Sequence, residues 1–108
     1  MSFKIKKLFS RSEYEKIDIN RLKQMQNEGA VIIDVRSPQE FNEYHLEESI
    51  NIPLYDLAYK IENIITDKSI EINVYCQYGG RSIKAANLLR RKGYLNIYEL
   101  HGGLDNIN

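Results

Sequence analysis

Short, mostly β-branched runs alternating with helix-length stretches constrain this chain more than any other feature. Residues 30–35 (AVIIDV), 50–52 (INI), 72–75 (INVY) and 96–100 (NIYEL) read as strands, each too short for a helix and punctuated by glycine or proline nearby. The stretches between them carry helical spacing and end signals. Asp18 can cap a helix whose Ile19, Leu22 and Met25 fall three apart, and Gly29 is placed to end it. Ser37-Pro38-Gln39-Glu40 combines a capping box with proline at the first helical position. After Pro53, the residues Leu57, Ile61, Ile64 and Ile65 predict the apolar stripe of another helix. A last helix runs from about Arg81 to Lys92, closed by Gly93, with basic residues in the final turn where the macrodipole favours them. Strands alternating with helices predict a small α/β domain: a central, mostly parallel sheet flanked by helices on both faces.

The chain's 108 residues suit a single domain, assigned to residues 13–108, with residues 1–12 left as an N-terminal arm that can stay loose. No window is apolar and long enough for a signal-peptide core or a membrane span, so neither export nor membrane insertion is expected. A single cysteine cannot form an internal disulfide or supply a cysteine-based metal cluster, so the expected compartment is the cytoplasm. Fifteen bases cancel fifteen acids, which argues against a general nucleic-acid binder. The cancellation hides segregation. Residues 34–71 hold three bases and nine acids, and they lie between two basic ends. No acid occurs between Glu71 and Glu99, and the lone Cys76 lies in that window with Arg81, Lys84, Arg90, Arg91 and Lys92.

Cys76 lies where the strand 72–75 ends and a loop runs into a helix. Ligands in open α/β sheets bind at such carboxyl ends. Gly79 and Gly80 allow the loop's N–H groups to turn toward one point, and the helix behind adds its free N–H groups and positive dipole end. Arg81 adds a permanent charge. Together these favour a thiolate over a thiol at Cys76, and they would also hold an anionic atom joined to the sulfur. The competing reading is a buried, inert thiol ending an apolar strand.

These residues belong to a longer pattern. Ile33-Asp34-Val35-Arg36 with Glu40-Phe41, then His45-Leu46 and residues 50–53, then Val74-Tyr75-Cys76 with Gly80-Arg81-Ser82, then Gly93-Tyr94 and Leu100-His101-Gly102-Gly103 together resemble the rhodanese-like sulfurtransferases in their single-domain form. The resemblance spans roughly residues 17–103. It implies a Cys76 nucleophile that takes a sulfane sulfur from thiosulfate or a persulfide and passes it, as a Cys76 persulfide, to a thiol (a protein thiol included) or cyanide. It implies that Gln77, Tyr78, Gly79, Gly80 and Ser82 cradle the persulfide and that Arg81 helps bind the anionic donor. It also implies that no metal or organic cofactor is needed. Four residues separate Cys76 from Arg81, as in sulfur-transferring members; the related cysteine phosphatases place five there. The chain departs from the pattern at Tyr44, at Glu48-Ser49, and after Gly103, where a tryptophan often follows.

Two rival functions remain. A cysteine-dependent phosphatase or arsenate reductase is disfavoured by the short loop and, for the reductase, by the lack of a resolving cysteine. A non-catalytic or sulfur-carrying module could dock on a partner through the acidic 34–71 stretch. His45 and His101 read as structural or solvated rather than as bases. Asp34 and Arg36 are expected to buttress neighbouring loops, with an Arg36–Glu40 pair across the helix start. Tyr78 either borders the pocket or faces solvent.

Overall fold

The computed structural model describes residues 14–107, so the arm expected over residues 1–12 lies outside the described residues. Five strands and four helices alternate: β1 (Glu15–Ile17), α1 (Ile19–Asn27), β2 (Val31–Asp34), α2 (Pro38–Glu43), β3 (Ile50–Asn51), α3 (Leu54–Ile64), β4 (Glu71–Tyr75), α4 (Gly80–Arg91) and β5 (Asn96–Leu100), followed by a 3-10 turn at Leu104–Asn106. The sheet order is β1-β5-β4-β2-β3, and every pairing is parallel.

That order sets the place of the site. From β2 the chain moves outward to β3, whereas from β4 it returns in the opposite direction to β5. The carboxyl ends of neighbouring β2 and β4 therefore flank a reversal of strand order, the crevice where open α/β sheets bind ligands. Cys76 follows β4 directly.

Alternation along the strands divides the core into two layers. Ile33, Val74 and Ile97 point to the side covered by Leu57 and Ile61 of α3 and by Ala85 and Leu89 of α4. Ile32, Tyr75 and Leu100 point to the other side, under Leu22 and Met25 of α1. The expected helices on both faces are present. The end signals also operate as read: the Arg21 N–H donates to the Asp18 carboxylate at 2.8 Å, and Ser37 and Glu40 close a reciprocal capping box with Pro38 in the first turn of α2.

Three details differ from the sequence expectation. β1 was not anticipated; its three residues gain strand geometry by pairing with β5 in register, Glu15 to Tyr98 through Ile17 to Leu100. Only Ile50 and Asn51 of the 50–52 run form ladder pairs, because Ile52 already turns toward Pro53. Ile64 leaves the α3 stripe: it is 44% exposed, whereas Ile65, just past the helix end, is buried. No helix among the described residues is long and apolar enough to cross a membrane.

Candidate active site

The site forms at the carboxyl ends of β2 and β4 and the start of α4. Gly79 occupies the N-cap of α4 with φ 114°, in the left-handed region that glycine alone enters cheaply, and it offers no capping side chain. The sulfur of Cys76 fills that role. Its Sγ lies 3.1 Å from the Gly79 nitrogen and 3.3 Å from the Ser82 nitrogen, so two backbone N–H groups at the helix start converge on it. The Ser82 hydroxyl stands 3.3 Å from the same sulfur. Cys76 is only 1% exposed. The burial anticipated by the inert reading is thus real, and Cys76 belongs to the core cluster of Val35, Val74 and Ala85, but its sulfur also meets three polar groups at the helix start.

Asp34 and Arg36 close the opposite wall. Arg36 Nη2 and Nε both donate to the buried Asp34 carboxylate, the former at 2.8 Å. Its guanidinium also lies over the Tyr75 ring and donates through Nη1 to the Gln77 side-chain oxygen at 3.1 Å. Asn51 holds the turn between them by donating to the carbonyls of Asp34 and Arg36, at 3.0 and 2.9 Å. The Gln77 amide donates in turn to Asp105. Its side chain is a strut between Arg36 and the C-terminal turn, while Tyr78 stands in solvent at 73% exposure. Gly80 opens α4.

Arg81 is engaged by a carboxylate. Its two terminal nitrogens meet the two Glu40 oxygens at 2.6 and 2.9 Å, a bidentate pair in which both side chains remain about a third exposed. Hydrogen bonding from Arg81 drives the Glu40 carboxyl down to about 2, and the same bond raises Arg81 further. The expected Arg36–Glu40 pair is not formed. Arg36 folds back onto Asp34, two residues earlier, and α2 presents Glu40 to the first turn of α4 instead.

A second carboxyl corrects the picture of an acid-free neighbourhood. Glu99 ends that window in sequence, but β5 pairs with β4 in register, Val74 opposite Glu99, and returns the carboxyl to the thiol. Its Oε2 lies 2.7 Å from the Ser82 hydroxyl oxygen. Glu99 is 1% exposed, and burial pushes its carboxyl up despite the Ser82 hydrogen bond. The signal was available in the sequence: Ile97 and Glu99 alternate onto one face of a strand, so an acid was heading into the core. His45 is exposed and stacks on Phe41, and His101 is exposed as well.

The fold and the site together define a parallel α/β domain with a lone cysteine capping a helix beyond its central strand. The rhodanese-like domain model matches residues 18–108, and the chain belongs to that family. It is 37% identical to thiosulfate sulfurtransferase PspE of Escherichia coli over 75 residues, covering 69% of this chain and 71% of PspE. It is 30% identical to thiosulfate sulfurtransferase GlpE of Pseudomonas syringae, covering 87% of each. The crystal structure of reduced Bacillus anthracis CoADR-RHD superposes with a TM-score of 0.75 at 32% identity, over 83% of this chain and 16% of that longer one.

Proposed function

We propose that this protein is a rhodanese-type sulfurtransferase whose nucleophile is Cys76. The carrying observation is the convergence of the Gly79 and Ser82 N–H groups on Sγ at the N-terminus of α4. Donors fixed at that point stabilise negative charge on the sulfur without reorganising. The Cys76 thiolate attacks the outer sulfur of thiosulfate, or of a persulfide. A new S–S bond forms, the old bond to the outer sulfur breaks, and its electron pair leaves with sulfite or with the donor thiolate. Cys76 is left as a persulfide anion over the same N–H groups. An acceptor thiolate or cyanide then attacks the terminal sulfur and releases the Cys76 thiolate. Relatives named thiosulfate sulfurtransferase support this reaction class.

Arg81 is proposed to bind the anionic end of the donor, in competition with Glu40. The test is to incubate reduced protein with thiosulfate or glutathione persulfide and to record intact mass and turnover to a thiol or cyanide. A gain of one sulfur atom, reversed by reductant and absent in Cys76→Ala, is expected together with turnover. An adduct without turnover would instead identify a sulfur carrier. No adduct from any sulfane donor, with hydrolysis of a phosphoester or reduction of arsenate, would overturn the reading.

A further inference from the structure

Glu99 is a buried acid that the sulfur-transfer scheme leaves idle. Ser82 ties it to the nucleophile. The hydroxyl oxygen lies 2.7 Å from Glu99 Oε2, 3.1 Å from the Gly79 carbonyl and 3.3 Å from Cys76 Sγ. One hydroxyl carries one hydrogen, and the shortest of these contacts is to the carboxyl. The other carboxyl oxygen, Oε1, is buried without a hydrogen-bond partner among the described residues. A full negative charge is therefore poorly supported on Glu99, while the sulfur has two backbone donors waiting for it. Two anions joined by a single hydroxyl in a water-poor site would repel strongly.

We propose that Glu99 is a positioning residue for Cys76: through the Ser82 hydroxyl, the carboxyl and the thiol hold one proton between them, so the buried site carries one negative charge rather than two. The exchange balances. The thiol proton passes to the Ser82 oxygen as the Ser82 proton passes to Glu99 Oε2, leaving thiolate and carboxylic acid where thiol and carboxylate stood. No charge is created, and the proton stays on Glu99 while the sulfur is a thiolate or a persulfide anion. An anionic donor then meets one buried negative charge. The inference rests on Cys76 being the nucleophile of the proposed reaction. Other groups acting on Glu99 are Lys16 of β1 and His101 beyond β5, which favour the carboxylate, but burial outweighs both; Tyr14, before β1, is in turn raised by burial and by Glu99.

The test follows the Glu99 carboxyl by 13C NMR against pH in the whole protein and in Cys76→Ser, which keeps a polar atom at the helix cap but does not ionise. In Cys76→Ser, ionisation of Glu99 should be complete at least about one pH unit lower than in the wild type, a tenfold change in its proton affinity. A purely structural Glu99 would titrate alike in both proteins, and that result overturns the proposal. A second arm measures the thiosulfate half-reaction against pH. The wild-type rate should fall on the alkaline side as Glu99 ionises beside the sulfur, and Glu99→Gln should lack that fall. A matching fall in Glu99→Gln also counts against the proposal. If the carboxyl shifts but no donor transfers sulfur, the shared proton stands and the sulfurtransferase reading fails.

Discussion

Arg81 and Glu40 show how a donor-binding charge can be held in reserve. In the free protein the guanidinium is satisfied by both oxygens of Glu40, so an anionic donor has to displace a carboxylate to use it. Glu40→Gln weakens that grip, and the KM for thiosulfate should fall several-fold while a neutral donor is little affected. The pair also links stability to pH. Glu40 is held at about 2, below its ordinary 4.5, so its contribution is complete above pH 4.5 and disappears as pH falls toward 2. Solvent screening at these part-exposed side chains keeps the contribution below about 1 kcal/mol. Urea midpoints at pH 7 and pH 3 should therefore drop further in the wild type than in Glu40→Gln; equal drops would show that the ion pair adds no acid-labile stability. Cys76, its glycines and Arg81 were legible as a site because they lie within six residues of one another. The carboxylates acting on them were not. Glu40 is 41 residues from Arg81, and although the alternation of Ile97 and Glu99 turns an acid into the core, only the strand order brings that acid to Cys76.

At the scale of elements, α2 depends on its cap more than the longer helices do. It spans six residues and buries none of them, so packing contributes little to holding it. The Ser37–Glu40 capping box and Pro38 supply what the core does not. Ser37→Ala should lower stability by about 1 kcal/mol in urea denaturation and loosen Glu40 from Arg81, raising the affinity for anionic donors in the same direction as Glu40→Gln. Ser37→Asp retains an acceptor at the cap and should recover most of the loss. A loss as large in Ser37→Asp as in Ser37→Ala would exclude capping as the cause. Such local devices are what a sequence displays best, and the caps of α1 and α2 match their signals. β1 escaped notice because three residues carry no period of their own; only the neighbouring edge of β5 makes them a strand. Ile64 and Ile65 both fit the helical spacing after Ile61, and that spacing does not distinguish the exposed last residue of α3 from the buried residue that follows it.

At the scale of the whole molecule, the C-terminal segment and the Cys76 loop form one structure. The Leu104 N–H donates to the Cys76 carbonyl and the Asp105 N–H to the Gln77 carbonyl, each at 3.0 Å, and the Asp105 side chain takes the Gln77 amide. The last turn thus supports the loop backbone, although the paired residues are 28 apart in sequence with α4 and β5 between them. Gly103 makes the approach possible. Its backbone, at φ 67° and ψ −161°, is in a region essentially restricted to glycine, and an added Cβ would lie 2.5 Å from the carbonyl oxygens of both Cys76 and Gln77. Gly103→Ala should cost about 1–3 kcal/mol from backbone strain alone, with a further loss as the loop is pushed away. Because the displaced atoms hang on the same loop that aims N–H groups at the sulfur, Cys76 alkylation should change together with stability. Gly80→Ala provides the comparison: a Cβ there meets nothing within 4 Å, at a helical position, so its effect on the urea midpoint should be small. If Gly103→Ala unfolds at the wild-type urea concentration with an unchanged alkylation rate, the C-terminal turn is a bystander to the site rather than its floor.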